Sequence, residues 1–460
     1  MGRMPNDAKL TRGSIRGHLV EQTLPMIFGI AAIMSVGIVD AYFVGELGPE
    51  PLAAISYAFP VGIALTSLGV GVMVGINSVV SRALGSGDRD LAQRRAAEGM
   101  VTAAAAGLLL TLLLITLQHP LFTLLGARGE TLRLTDAYML PYLAGFPFLL
   151  LSMGGNGVLR AQGAAKRSST ILLSMAAANW VLDPLLIDGI GVLPGYGIAG
   201  AAYASAASFL LAGLMSAALA ALSELGIHLS LLSGPGLVKG ARQIAAVGAP
   251  AALSNAINPI GLTVLTGLLS RFGNEAVAAF GVAGRLQSFA VVPLLAMSSS
   301  IGAIVGQNWG AGKPERSRRA LVEAATFSLL YGLGVAVVLV SFREQAAGIF
   351  TDDPVVMDAI GLYLQVAAWG FWAYGVVIVV NGALNAIGRA NIALALSALR
   401  VLAVMVPVAW LGGHVLGPGG IYAGELCANI IGAGLAYAIG RRILTTGDGP
   451  EPLGRASAHS

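Results

Sequence analysis

The chain has 460 residues, 56% of them apolar and only 11% charged, with a mean hydropathy of +0.78. Soluble domains carry about 25% charged residues, so a soluble enzyme or binding module is excluded. The net charge of +4, from 27 basic and 23 acidic residues, says little as a total, and the single cysteine, Cys427, rules out an internal disulfide.

The N-terminal segment is polar and basic, with Arg3, Lys9, Arg12 and Arg16, and the apolar run after it continues as a full span. No cleavable signal peptide is therefore expected. Apolar stretches long enough to cross about 30 Å of hydrocarbon recur along the chain. They predict twelve spans, at 22–44, 52–81, 96–118, 134–155, 168–188, 198–221, 244–270, 276–307, 320–342, 356–384, 392–412 and 420–440. The expected fold is an all-α polytopic membrane protein. The second and eighth spans are long, which predicts tilt or protrusion.

Loop charges set the expected orientation. The N-terminus, alternate loops and the C-terminus hold 21 Lys and Arg, whereas the opposite loops hold only Arg128, Arg133, Arg271 and Arg343. The excess places both termini on the cytoplasmic side.

The two halves repeat at a fixed offset of 225. Pro25 matches Pro250, and Gly48-Pro-Glu-Pro-Leu-Ala-Ala54 matches Gly273-Asn-Glu-Ala-Val-Ala-Ala279. Gly85-Ser-Gly87 matches Gly310-Ala-Gly312, and Asn156-Gly-Val-Leu matches Asn381-Gly-Ala-Leu. Six spans per repeat is an even number, so the repeats run in the same sense, as in transporters whose halves rock about a central site. The chain divides into an N-terminal lobe, 1–221, a cytoplasmic linker, 222–243, and a C-terminal lobe with a short tail, 244–460. The linker residues Ile227, Leu229, Leu231 and Leu232 could lie on the membrane surface.

Asp40 falls in the otherwise apolar first span. A carboxylate inside a bilayer is costly and marks function by default. Asp183 and Asn179 lie one turn apart on the fifth span and share a helix face. The offset aligns Asp40 with Leu265, Asp183 with Val408 and Asn179 with Val404, so these polar groups occur in one copy only. With Ser205 of the sixth span at similar depth, the set could surround one proton or one sodium ion. Pro184 deprives the Trp180 carbonyl of its helical donor and could free it to join them. Proton coupling requires Asp40 to titrate near neutral pH, well above the ordinary carboxylate value of about 3.9.

In the second half, Arg285 and Glu425 enter from the outer side at similar depths and could form a structural ion pair. Arg400 lies nearer the inner face, paired or snorkelling. Met34, Phe59, Met153, Phe289 and Tyr374 are candidates for an adaptable apolar cleft. The five histidines fall at span ends, in loops or in the tail, with no metal-ligand spacing, so an enzyme is not expected.

Asp40-Ala-Tyr-Phe-Val-Gly45-Glu-Leu-Gly48, Asn179-x-x-x-Asp183-Pro184 and Gly306-Gln307-Asn308-x-Gly310-Ala-Gly312 together resemble the multidrug and toxic compound extrusion (MATE) family. The resemblance covers all twelve spans. It implies two six-helix lobes in a V with alternating access, exporting organic, often cationic, compounds in exchange for protons or sodium. It assigns ion coupling to Asp40, Asn179 and Asp183, more weakly Ser205, and a helix bend to Pro25. The second lobe lacks the acids of the NorM-like branch, with Asn258 near one of those positions, so the chain looks closer to the DinF-like branch. Protons are the favoured coupling ion, with sodium at Asp40, Asn179 and Asp183 the alternative. No other cofactor and no nucleic-acid partner are expected. The expected form is a monomer in a bacterial inner membrane, and a lipid-linked precursor flippase is the alternative function.

Overall fold

The computed structural model describes residues 8–191, 193–227 and 236–446. Eleven helices are long and apolar enough to span a membrane, and a bent pair makes the twelfth. In chain order they are α1 (Ile15–Glu46), α2 (Pro49–Gly85), α3 (Arg89–Leu124), α4 (Gly129–Ala161), α5 (Ala165–Ile187), α6 (Ile198–Ala221) and α7 (Leu237–Leu269). Then come α8 (arms Asn274–Ala290 and Val292–Gly310), α9 (Pro314–Ser341), α10 (Pro354–Ala386), α11 (Ala390–Leu416) and α12 (Pro418–Thr446). The only strands among the described residues are a two-residue pair in the α5–α6 turn.

Several helices outrun their apolar stretches. Ser14 caps α1 by accepting from Gly17 N at 3.3 Å, and Asp88 caps α3 by accepting from Leu91 N at 2.9 Å. These polar first turns extend the helix beyond what hydropathy detects. α7 likewise begins at Leu237, so the end of the 222–243 segment is helical; Leu229, Leu231 and Leu232 lie outside the described residues.

The eighth span neither simply tilts nor protrudes but bends by 41° between its arms. Pro293, at the start of the second arm, has no N–H for the Phe289 carbonyl. Across the bend the Tyr331 hydroxyl donates to the Ala290 carbonyl at 3.0 Å. α1 and α5, by contrast, run unbroken through Pro25 and Pro184.

Helices α1–α6 pack into one lobe and α7–α12 into another. In a bilayer, helices associate through close van der Waals contact rather than exclusion of water, which favours small residues at the seams. In the first lobe Gly145 packs on Ala206, so that a Cβ there would lie 2.6 Å from the Ala206 Cα; in the second, Gly424 meets Ala409 as closely. The repeat is visible in the backbone. Gly48 and Gly273 turn at φ of 112° and 105°, Gly87 and Gly312 at 80° and 67°, and Gly163 and Gly388 at 73° and 80°. Each pair is related by the offset of 225, and each uses a left-handed conformation that glycine alone adopts freely.

Among the described residues the close contacts between the lobes lie over the half of the molecule that carries the basic loops, here called the basic end. Gly71 and Gly75 of α2 lie against the α7 backbone at Gly248 and Ile244, and Gly85 and Gly310 meet Gln307 and Arg82 without room for a Cβ. Ser78 Oγ donates to the Asn385 carbonyl at 2.6 Å, and Thr23 Oγ1 to Ser300 Oγ at 3.0 Å. Toward the other end, a Cβ at Gly37, Gly45, Gly62, Gly281 or Gly284 would meet nothing within 4 Å. The result is a V closed at the basic end.

The N-terminal segment straps that closed end. Leu10 is buried, its N–H donates to Gln307 Oε1 at 3.1 Å, and its carbonyl accepts from Asn308 Nδ2 at 3.0 Å. Gln307 Nε2 in turn reaches the Ala161 carbonyl of the first lobe at 2.7 Å. Lys313 and Arg316 hold the carbonyls of Thr11 and Gly13, both at 3.1 Å.

Gly75→Leu is expected to wedge the lobes apart at the basic end, at a cost of about 1–3 kcal/mol. In a Cys427→Ser background, a cysteine introduced in place of Ser78 should then react several-fold faster with a hydrophilic maleimide. Unchanged labelling would show that the α2–α7 contact does not hold that end shut.

Candidate functional site

α5 presents Asn179 and Asp183, 1% and 0% exposed, on the face that packs against α1. Asn179 Nδ2 donates to Asp183 Oδ1 at 3.3 Å. From α1, the Asp40 carboxylate lies beside the side chains of both. α1 and α5 approach closely because Gly29 lies against Ser169 and Leu172, and Ser169 Oγ donates to the Pro25 carbonyl at 2.5 Å. The two sequence segments singled out for chemistry thus meet.

Three oxygens of this trio, Asp40 Oδ1, Asn179 Oδ1 and Asp183 Oδ2, are buried with no hydrogen-bond partner. An unpaired buried acceptor costs about 1–3 kcal/mol. Unpaired acceptors on neighbouring side chains suit a proton or a hard cation, either of which accepts oxygen lone pairs. Ser205 is buried on α6, 5% exposed, and makes no hydrogen bond to the trio.

The structure adds groups that the sequence reading missed. Tyr138 and Tyr142 of α4 stack at 5.9 Å, and Tyr142 meets Phe209 edge-on at 5.5 Å. Both tyrosines lie within electrostatic reach of the Asp40 carboxylate, and Tyr142 lies beside Thr66 of α2. Their spacing of four residues within one span puts two hydroxyls on one helix face, a signal the sequence did contain.

The cleft candidates separate. Met153 fills the seam between α2 and α4, against Gly69, as a packing residue. Phe59 and Phe289 are 64% and 49% exposed, and Met34 is partly buried. Tyr374 lies beneath the Arg400 guanidinium, 4.9 Å from its ring centre.

The second lobe buries two charges, and not in the pairing expected. Arg285 does not bond Glu425. Glu425 accepts instead from Gln287 Nε2 at 2.7 Å and from the Tyr363 hydroxyl at 3.3 Å. Two residues on a helix differ by about 200° in direction, so Arg285 faces outward where Gln287 faces in. Arg400 is not snorkelling: it is 4% exposed and donates to Asn429 Oδ1 and Asn258 Oδ1, each at 2.7 Å.

Gln287→Ala should therefore lower thermal stability in detergent by about 1–3 kcal/mol, because Glu425 loses a donor. Arg285→Ala should shift it by less than about 0.5 kcal/mol. The reverse ranking would restore the Arg285–Glu425 pair.

The family model MatE matches the chain twice, over residues 25–185 and 250–411, once within each lobe. The chain is 33% identical over 432 residues to the FAD transporter of Shewanella oneidensis, covering 92% of this chain and 94% of that one. It is 26% identical over 413 residues to the multidrug export protein MepA of Staphylococcus aureus, covering 88% and 90%. The crystal structure of a mutant of the Vibrio cholerae MATE transporter VcmN superposes with a TM-score of 0.89 at 29% identity, covering 94% of this chain and 97% of that one. With a tandem match to one family and kinship over nearly its whole length, the chain belongs to the MATE family and is a membrane transporter, not an enzyme.

Proposed function

We propose that the protein is a secondary antiporter of the bacterial inner membrane, exporting organic compounds in exchange for protons. The observation that carries this reading is the trio Asp40, Asn179 and Asp183, with three unpaired oxygens gathered in one lobe only. Hard cations usually take about six or more oxygen ligands, whereas a proton needs only two. The small protein shell therefore supports a proton over sodium. The two relatives, one named for FAD and one for multidrug export, support an organic cargo.

The coupling follows from electrostatics. With the proton bound, the Asp40–Asp183 pair is held together across the α1–α5 seam. Without it, two facing carboxylates repel in a low-dielectric setting and α1 shifts against α5. That shift acts on the lobe contacts, because α1 also carries Thr23 on Ser300 of the other lobe. The basic loops put both termini, and the closed end of the V, on the cytoplasmic side, so the V opens outward. Alternating access is the exchange of this state for one closed at the outer end.

The test is efflux of ethidium, and separately of flavin mononucleotide, from vesicles under imposed proton and sodium gradients. A proton gradient should drive export by the wild type. Asp40→Asn should reduce it to the background of empty vesicles, and Asn179→Ala should slow it several-fold. Driven export by Asp40→Asn equal to wild type would remove the trio from the coupling mechanism.

A further inference from the structure

The offset of 225 that isolates the acidic trio also isolates a second set, of opposite character. Arg400, Asn258 and Tyr374 align with Met175, Ile33 and Leu149 of the first lobe. Three polar residues on three helices of one lobe thus correspond to three apolar residues in the other. Asn258 accepts from Arg400 Nη2 at 2.7 Å, and Tyr374 lies under the same guanidinium.

This cation is expensive and incompletely compensated. Arginine stays charged in proteins, and a buried charge at mid-bilayer needs a partner or a function. Among the described residues no carboxylate forms an ion pair with Arg400, and its buried Nε has no hydrogen-bond partner. Glu425 acts on it only through space, its own oxygens being taken by Gln287 and Tyr363. Two neutral amide oxygens hold the guanidinium in place without neutralising it. The backbone accommodates it: Arg400 lies in the π-helical stretch Leu399–Met405, and Gly432 makes room for its stem. Such π insertions recur at functional sites.

The position lies near the far end of the interface between the lobes. Asn255 Nδ2 to Ser67 Oγ, at 3.3 Å, is the hydrogen bond between lobes that lies farthest from the basic end among the described residues. Asn258 follows three residues later, close to one turn of about 3.6 residues, where the lobes begin to part. Asn258 and Tyr374 are both partly exposed, and neither the Asn258 Nδ2 nor the Tyr374 hydroxyl donates a hydrogen bond within the protein. One fixed positive charge and two free donors at the edge of the lobe interface suit an oxyanion.

We propose that Arg400, Asn258 and Tyr374 form a binding site in the second lobe for an anionic group, a phosphate or carboxylate, on the transported compound. This rests on the export reading and names a substrate class for it, where the family resemblance implied organic, often cationic, compounds. Proton and cargo then occupy opposite lobes, attracted by opposite charges.

Flavin mononucleotide and riboflavin differ only by a phosphate and test this directly, by fluorescence titration of the purified full chain in neutral detergent. Wild type should bind the mononucleotide about tenfold more tightly than riboflavin, as expected for one charge-assisted hydrogen-bonding group. Arg400→Gln should bring the two to equal affinity with riboflavin unchanged, Arg400→Lys should keep part of the preference, and Tyr374→Phe should weaken only the mononucleotide, by about threefold. Asp40→Asn should retain the preference, which separates this site from coupling. Equal binding of both flavins by wild type, no binding of the mononucleotide, or parallel loss of both ligands in the folded Arg400→Lys and Tyr374→Phe proteins would overturn the proposal. Displacement of the mononucleotide by equimolar phosphatidylglycerol would assign the site to a lipid headgroup and overturn it as a cargo site.

Discussion

The approach of α2 to α7 and to the second arm of α8, backbone against backbone, is the constraint from which the rest of this structure follows. Glycines at 71, 75, 85, 306 and 310 have no side chain of their own in the seam, so the two lobes approach closely over the basic half. Because the helices diverge from that line, the opposite half must open. The cleft is the geometric consequence of a tight closure elsewhere. Lipid gives helices no hydrophobic reason to associate, so the closure depends on contact distance and on hydrogen bonds such as Ser78 to Asn385.

On this symmetric frame the chemistry is antisymmetric. The turn glycines recur in both copies with matching backbone angles, while the polar residues of the two candidate sites do not. The first lobe keeps Asp40, Asn179 and Asp183 where the second has Leu265, Val404 and Val408; the second keeps Asn258, Tyr374 and Arg400 where the first has Ile33, Leu149 and Met175. A duplicated bundle supplies two equivalent walls, and their subsequent divergence gives each wall a separate task.

What the sequence revealed, and what it did not, follows from the kind of information each feature needs. The spans were legible because they depend on composition averaged over many residues. The acidic trio was legible because a carboxylate in an apolar run is conspicuous and Asn179 and Asp183 share a turn. The bend in α8 was not, since Pro25 and Pro184 sit inside unbroken helices while Pro293 does not. The difference lies in surroundings, such as the Tyr331 hydroxyl that takes up the Ala290 carbonyl. The Arg285–Glu425 pair failed because depth along a helix can be read from a sequence, but direction around it cannot. Asn258, Tyr374 and Arg400 lie on three helices and converge only in three dimensions.

The N-terminal strap gives the closed end its kinetic character. Leu10 is gripped by Gln307 and Asn308 of one lobe, and Gln307 is itself fastened to Ala161 of the other. These bonds share residues, so none can lengthen far without the others failing. Parting the lobes at this end therefore requires the whole cluster to release at once. The N-terminal segment thus acts as a clasp whose few bonds tie both lobes together at one point.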